Sequence, residues 1–589
     1  CGSPARPAAR SPARCHSQSP APLPRAIPAG IGHVLRRRLA RLPAPAQTVL
    51  RHAAVLGRDV DIDVLSEAFA EDEDAVLDGL EAGVLAGLLE EPAPGRVRFG
   101  HALLRDVLYD DMPKLRRRRL HERVLGVLER VRPADVAALG HHALAAATPG
   151  TAARAAAHAA AAARQAAALF AHGEAAQLYA GALDALAMQQ PADPAQRLDL
   201  LCGLVSGRAN SGDVIAARSA RAEAIEAARQ LPGSEPLARA LGAFDAPVAW
   251  TIRLHRHLDR DLVELFEDTL ARDDVPAALR CRMLVCLVYE IEGDQVDRAA
   301  EASAEALRIA RAGGDDLLLC QALNARYFAV LNPQRRHELP AVAAELLEVA
   351  ERAGSLGFQT QAYHVLYQVA LERCDLALAQ AHLDRALERS TAGQLGVTLL
   401  VMAMLGAIRA MFAGDHAAAE RVYTELGERI EAAGQPNAGL VATGGIFFVR
   451  LTQGRGDTSL PVLEAVRAFS PDEIDELIVR ALVDAGRLDE ARARWRPRVP
   501  IREDYYWLGW MGLRAENAVA LGDTAVAEHC YELLLPWAGQ FAGLASGSIS
   551  GPPVDQLLGR LAQLLGRPSE AHLRAGRELA ARVGAKPWM

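Results

Sequence analysis

A glycine followed by an aspartate, at points where one helix must stop and another start, recurs along most of this chain and restricts it to stacked helical hairpins. Gly212-Asp213, Gly293-Asp294, Gly414-Asp415, Gly456-Asp457 and Gly522-Asp523 show the pair in full. Gly173-Glu174, Cys374-Asp375, Gly486-Arg487 and Gly566-Arg567 are variants of it. Glycine adopts the left-handed C-terminal cap at little cost. Aspartate accepts from the first unpaired N–H groups of the next helix and faces its positive end. The breaks fall about 40 residues apart, or about 80 where one break is unmarked, which is the length of a helical hairpin. Small residues follow them, as in Ala175-Ala176 before Tyr179 and Ala418-Ala419 before Tyr423. These let paired helices approach closely while bulkier side chains fill the space between hairpins. The pattern predicts a tetratricopeptide-like α-solenoid over residues 136–589. A plain bundle would need no fixed period. The repeats are degenerate and mostly longer than the standard unit of about 34 residues.

Composition agrees with an all-α fold. Hydrophobic residues make up 51% of the 589, but aromatics only 5%. Alanine and leucine dominate, and both favour helix over strand. The chain has only two lysines, Lys114 and Lys586. The net charge is −8, while residues 1–58 hold arginines and no acid, so the remainder is more acidic still. Such a body is a poor surface for nucleic acid, which needs a basic stripe. The eight cysteines lack CxxC spacing and read as reduced thiols of a cytoplasmic protein. No apolar stretch is bulky and long enough to span a bilayer, which takes about 20 residues.

Residues 1–30 are rich in proline and arginine and almost devoid of large aliphatics. They read as a disordered segment, a transit-peptide-like leader, or a stretch translated off-frame or from a misassigned start. From Ile31 the pattern changes. Leu35, Leu39 and Leu42 mark one helix, and Pro43 and Pro45 open a second that stops at Gly57. Ile62, Leu65 and Phe69 mark a third, and Asp74 to Ala86 a fourth. The period then switches. Leu88 to Glu91, the turn Pro92–Gly95 and Val97 to Phe99 predict a hairpin, followed by helices over His101–Tyr109 and Lys114–Val131. Helices followed by a hairpin make a small winged-helix-like unit over residues 31–135.

Within this unit, Ile31–Leu56 (IGHVLRRRLARLPAPAQTVLRHAAVL) and Arg98–Leu108 (RFGHALLRDVL), with Leu120-His121 downstream, resemble the winged-helix segment of STAND-class AAA-type ATP-binding bacterial regulators of the LuxR and SARP types. Tyr531–Pro536 (YELLLP) and Leu579–Trp588 (LAARVGAKPW) resemble the last repeats of the same proteins. The resemblance covers most of residues 31–589 and is specific mainly at the winged helix and the tail. It implies a nucleotide domain upstream of the winged helix, so ATP or ADP belongs to that domain and no cofactor to this chain. It also implies a role for His101, whose family counterpart contacts nucleotide phosphates. The following residue is Ala102, where many members carry Asp. Read from the residues alone, His101 equally suits a helix cap.

No enzyme is expected. A P-loop needs Gly-x-x-x-x-Gly-Lys-Ser/Thr, and Lys114 follows Pro113 while Lys586 follows Ala585. His121-Glu122 opens like a zinc-protease motif, but Leu125 stands where the second His belongs. Gly547-Ser548-Ile549-Ser550-Gly551 has Ile at the place of a nucleophile. Cys281 and Cys286 suit helix packing, and no metal site is expected. The basic run Arg116–Arg119 lies after the hairpin, away from a recognition helix. Tyr505, Tyr506, Trp507 and Trp510 cluster in a chain poor in aromatics, either as a binding surface or as a core stripe. The first functional expectation is the signal-sensing and coupling portion of a transcriptional regulator. Its repeats would bind a small-molecule inducer or a protein partner, and its winged helix would couple that event to the ATPase domain. The alternatives are the accessory repeat region of a class III nucleotide cyclase and a stand-alone interaction scaffold.

Overall fold

The computed structural model describes residues 29–69, 73–189, 193–254, 257–392, 402–469 and 471–589. Residues 1–28, most of the proline-rich segment, lie outside these. The chain divides into two compact units, Cys1–Thr148 and Pro149–Met589.

In the first unit, α1 (Ala29–Leu39) and α2 (Ala44–Leu56) lead into a short strand β1 (Asp59–Asp61), then α3 (Ile62–Phe69) and α4 (Glu73–Leu85). Strands β2 (Leu89–Ala93) and β3 (Arg96–Phe99) form the hairpin, and α5 (Ala102–Asp110), α6 (Lys114–Val131) and α7 (Val136–Ala146) follow. Gly57 and Gly87 carry positive φ where the sequence places helix stops. The sheet is antiparallel in the order β1-β3-β2, with Val60 opposite Val97 and Leu89 opposite Phe99. Helix, strand, two helices and a hairpin make the winged-helix arrangement. Its core is apolar and mostly aliphatic, with Leu50, Ala53, Val60, Leu65, Leu80, Phe99 and Val107 all buried.

The second unit is a run of antiparallel helix pairs, among them Pro194–Ser211 with Val214–Ala228, Leu356–Glu372 with Leu376–Ala392, and Trp507–Leu521 with Thr524–Leu534. The chain is therefore an all-α repeat solenoid preceded by a small winged-helix-like unit. The Gly-Asp breaks show how the hairpins close. At Gly212-Asp213 the glycine is left-handed (φ 88°), the Asp213 N–H donates to the Arg208 carbonyl (2.9 Å), and the Asp213 carboxylate accepts from the Ala216 N–H (3.1 Å). One residue thus completes the C-terminal cap of one helix and the N-terminal cap of the next. Asp375, Asp415 and Asp523 repeat the arrangement. Two breaks fall elsewhere than the sequence suggests. Gly173 lies inside the helix His172–Leu186, and the left-handed position is Phe170 (φ 61°). Gly456 opens a 3-10 turn, and Gly454 (φ 63°) ends the preceding helix.

Two of the irregular stretches that interrupt the repeats bear on their interior. One joins Leu241 to Arg260. The other runs from Ala538 to Pro553, and its residues from Phe541 onward are buried. This second stretch folds back on itself, with the Ala542 N–H donating to the Pro552 carbonyl (2.9 Å) and the Gly551 N–H to the Ala542 carbonyl (2.6 Å). Side chains from successive hairpins hold its backbone. Arg336 donates to the Ala545 carbonyl, Gln368 to Ser546, Tyr367 to Gly547 and Tyr423 to Ser548. The Gly-Ser-Ile-Ser-Gly run is therefore a packed backbone segment whose serines are buried. Gly547 allows this, because a Cβ there would lie 2.7 Å from the Tyr367 ring.

Candidate functional site

The repeats also hold a cleft, with about 680 Å³ of space that is partly open to solvent. Five parts of the chain build it. Trp250 and Thr251 come from the stretch after Leu241. Leu440, Val441 and Phe448 come from the helix Ala438–Leu451, and Glu473, Ile474 and Leu477 from the helix Pro471–Asp484. Tyr505, Tyr506 and Trp510 complete the wall, with Ile549 of the buried stretch beside them.

Two of these parts are anchored on one turn. Gly293 (φ 71°) links the helices Ala277–Ile291 and Val296–Gly313, leaving Glu292 and Asp294 on either side. Arg253, almost wholly buried, donates to the Glu292 carbonyl (2.8 Å) and pairs with Asp294. Arg502, also buried, pairs with Glu292 (3.2 Å), Asp294 (3.5 Å) and Asp504 (3.4 Å). Burial works against the Arg502 charge, but the three carboxylates outweigh it and hold its pKa above the ordinary value. A Cβ at 293 would meet the Arg502 guanidinium at 2.3 Å, so only glycine fits there. Asn324 grips the Val248 backbone at both N–H (2.7 Å) and carbonyl (2.9 Å), and Asn437 donates to the Arg253 carbonyl (2.9 Å). The wall carrying Trp250 is thus fixed without regular secondary structure.

Among the described residues lining the cleft, Glu473 is the charged one. The phenols of Tyr505 and Tyr506 are pushed well above their usual pKa, chiefly by burial, and stay neutral. The Thr251 hydroxyl and the Trp510 indole N–H have no hydrogen-bond partner among the described residues. Of the aromatic cluster read from the sequence, Tyr505, Tyr506 and Trp510 meet in the cleft. Trp507 turns away into the core beside Trp537, with ring centres 5.6 Å apart. Sequence reasoning missed Trp250, Thr251 and Glu473. A lone Trp in a proline-containing, aperiodic stretch is the only signal that could have flagged the first two.

In the first unit His101 is exposed and caps α5, its Nδ1 accepting from the Leu103 N–H at 3.2 Å. The helix before the hairpin, α4, carries Glu73, Asp74, Asp78 and Glu81 and no basic residue, which disfavours phosphate there. Arg117 of the basic run lies over the Tyr109 ring and reaches Asp110 (3.2 Å). His121 and His142 are buried with their Nδ1 atoms 2.8 Å apart, and Tyr109 Oη sits 2.8 Å from His121 Nε2. Burial first, then neighbouring histidines and Arg105, depresses both imidazoles to about 3. Cys281 and Cys286 are buried, donating to the Ala306 and Phe244 carbonyls, and burial pushes each thiol up to about 12. Among the described residues no group of three or more His, Cys, Asp or Glu side chains is placed to hold a metal ion, and no helix is long and apolar enough to cross a membrane.

No family model matches the chain, and no curated protein matches it. Among solved structures it is similar to a signal transduction ATPase with numerous domains (a STAND protein) with a tetratricopeptide repeat sensor, from Pyrococcus horikoshii. Identity is 9% and the TM-score 0.34, over 79% of this chain; the chain spans 65% of that protein's length. It is also similar to a circular tandem repeat protein of novel repeat topology, at 13% identity and a TM-score of 0.13, covering 94% of this chain and 98% of the other.

Proposed function

We propose that this chain is the sensing and coupling portion of a STAND-class ATP-binding transcriptional regulator, and that the cleft beside Tyr505, Tyr506 and Trp510 receives its inducer. The observation that carries the sensing role is the cleft itself. It concentrates aromatic side chains in a chain with only 5% aromatics, and the ion pairs of Arg253 and Arg502 fix the segments that carry Trp250 and Tyr505. The motifs at residues 31–56, 98–108, 531–536 and 579–588 support the regulator class. A ligand that prefers one arrangement of the repeats shifts their equilibrium by its difference in affinity, and the winged helix would pass that bias to the nucleotide domain. In this reading the chain itself performs no chemical step.

Two measurements test it. Quenching of tryptophan fluorescence by a panel of apolar small molecules, repeated on Trp510→Leu, tests the cleft. A ligand that binds the parent and loses at least about tenfold on the variant supports it. Translating the DNA on both sides of the reading frame tests the class. An upstream P-loop domain with a DNA-binding domain supports the regulator, an upstream cyclase domain favours the cyclase accessory region, and neither favours a stand-alone scaffold.

A further inference from the structure

Resting on the reading of the cleft as the sensing site, we infer that its ligand is an uncharged molecule with a carbonyl oxygen on an apolar body. Two side chains of the lining carry polar atoms that the fold leaves unpaired. Thr251 is 5% exposed, and its hydroxyl has no hydrogen-bond partner among the described residues. The indole nitrogen of Trp510 is buried and equally unpaired. Buried polar groups are nearly always hydrogen-bonded, and an orphaned one costs stability. Comparable groups nearby are satisfied. The Trp495 indole N–H donates to the Asp523 carboxylate (3.0 Å), and the Tyr423 hydroxyl donates to the Ser548 carbonyl (2.6 Å). The backbone on either side of Thr251 is also held, by Asn324 at Val248 and by Asn437 at Arg253. The hydroxyl is therefore kept at the cleft wall and not turned to a partner elsewhere.

The chemistry of the two groups selects the ligand. An indole N–H only donates, and a hydroxyl donates as readily as it accepts, so an acceptor serves both. A carbonyl oxygen has two lone pairs and can take either bond or both. The rings of Trp250 and Phe448 and the side chains of Leu440, Leu477 and Ile549 give the rest of the molecule apolar contact. A plain hydrocarbon would make these contacts but leave both polar groups orphaned. A ligand with donors alone would leave the indole unpaired. A carboxylate would accept as well, but an ion gives up far more hydration than a carbonyl on entering a mostly apolar cleft.

The test uses the full chain and three probes of similar size: acetophenone, ethylbenzene, in which a methylene replaces the carbonyl, and benzoate. Binding is read by calorimetry. Acetophenone should bind at least about fivefold tighter than either of the others. Thr251→Val and Trp510→Phe each remove one polar group and keep an apolar side chain in its place. Each should weaken acetophenone about fivefold and leave ethylbenzene unchanged, with circular dichroism confirming the fold. A loss on one variant alone supports the assignment and places the oxygen at that side chain. Without ligand, Thr251→Val should melt no lower than the parent, because its hydroxyl has no hydrogen bond to lose. If ethylbenzene or benzoate matches acetophenone, or neither variant reduces the preference, the carbonyl assignment is overturned while the cleft remains a binding site. If none of the three probes binds the folded chain, the assignment and the cleft reading fall together.

Discussion

The two units bury polar groups by opposite means. The winged-helix unit hides neutral imidazoles, with Tyr109, His121 and His142 in one hydrogen-bonded chain and His52 stacked on Phe69. The repeats bury charges in pairs. Arg221 meets Glu290 at 2.5 Å with both almost wholly buried, and Arg514 meets Glu476 at 2.7 Å. A buried neutral imidazole is stable only while it stays neutral. A buried ion pair is stable only while both partners are charged and present. The units should therefore fail under different insults, although the repeats too hold one deeply buried histidine, His364, depressed to about 4.

The largest effect should come from unpairing a charge in the repeats. Arg502→Met leaves Glu292 buried without the guanidinium it pairs with and should cost about 3–5 kcal/mol in urea unfolding. Ligand quenching in the cleft should weaken with it. A loss below about 1 kcal/mol would mean that water relieves the carboxylates and that the contrast between the units is weaker than drawn.

Acid should break the other unit first. His121 and His142 titrate near 3 in the fold and near 6.5 unfolded. Between those values the unfolded chain binds more protons, so stability falls as pH falls below 6.5. At pH 5 each such group removes about 2 kcal/mol relative to pH 7. Glu290 runs the other way. Burial alone would raise its pKa, but Arg221 and Arg218 hold it below the usual carboxylate value, so its contribution persists until pH falls through that lowered value. All six tryptophans lie in the repeats. On acidification, far-UV circular dichroism should lose helix before tryptophan emission shifts. Coincident transitions would show that the units unfold together.

Smaller effects concern the caps. Asp523→Ala removes the acceptor for both the Val526 N–H and the Trp495 indole N–H and should cost about 1–2 kcal/mol, read as a lower melting temperature of the tryptophan-reporting unit. His101→Ala should change stability by less than about 1 kcal/mol, since its bond to the Leu103 N–H is exposed. That change should appear in circular dichroism and not in tryptophan emission.

What the sequence revealed follows the range of the forces involved. Local punctuation located the helices. Prolines, glycines and aspartates act within a turn, so α2 to α6 fall close to their expected bounds. Strand β1 escaped because it has three residues and only Val60 is buried. Phe170 escaped because a left-handed aromatic leaves no trace in composition. The aromatic cluster was visible as a cluster, but not the inward turn of Trp507. That turn depends on Trp537, far along the chain. Glu473 and Trp250 meet across more than two hundred residues, and no local pattern records such a meeting.

The buried stretch from Phe541 to Pro553 has a consequence for partners. In helical repeats the inner side chains commonly hold an extended peptide. Here Arg336, Tyr367, Gln368 and Tyr423 already spend their donors on carbonyls of the chain's own segment. That segment is tethered at both ends, so it competes at an effective concentration on the order of millimolar. A free peptide of ordinary micromolar availability would have to bind these side chains about a thousandfold better than the resident segment to displace half of it. The repeats thus carry a built-in competitor along this row.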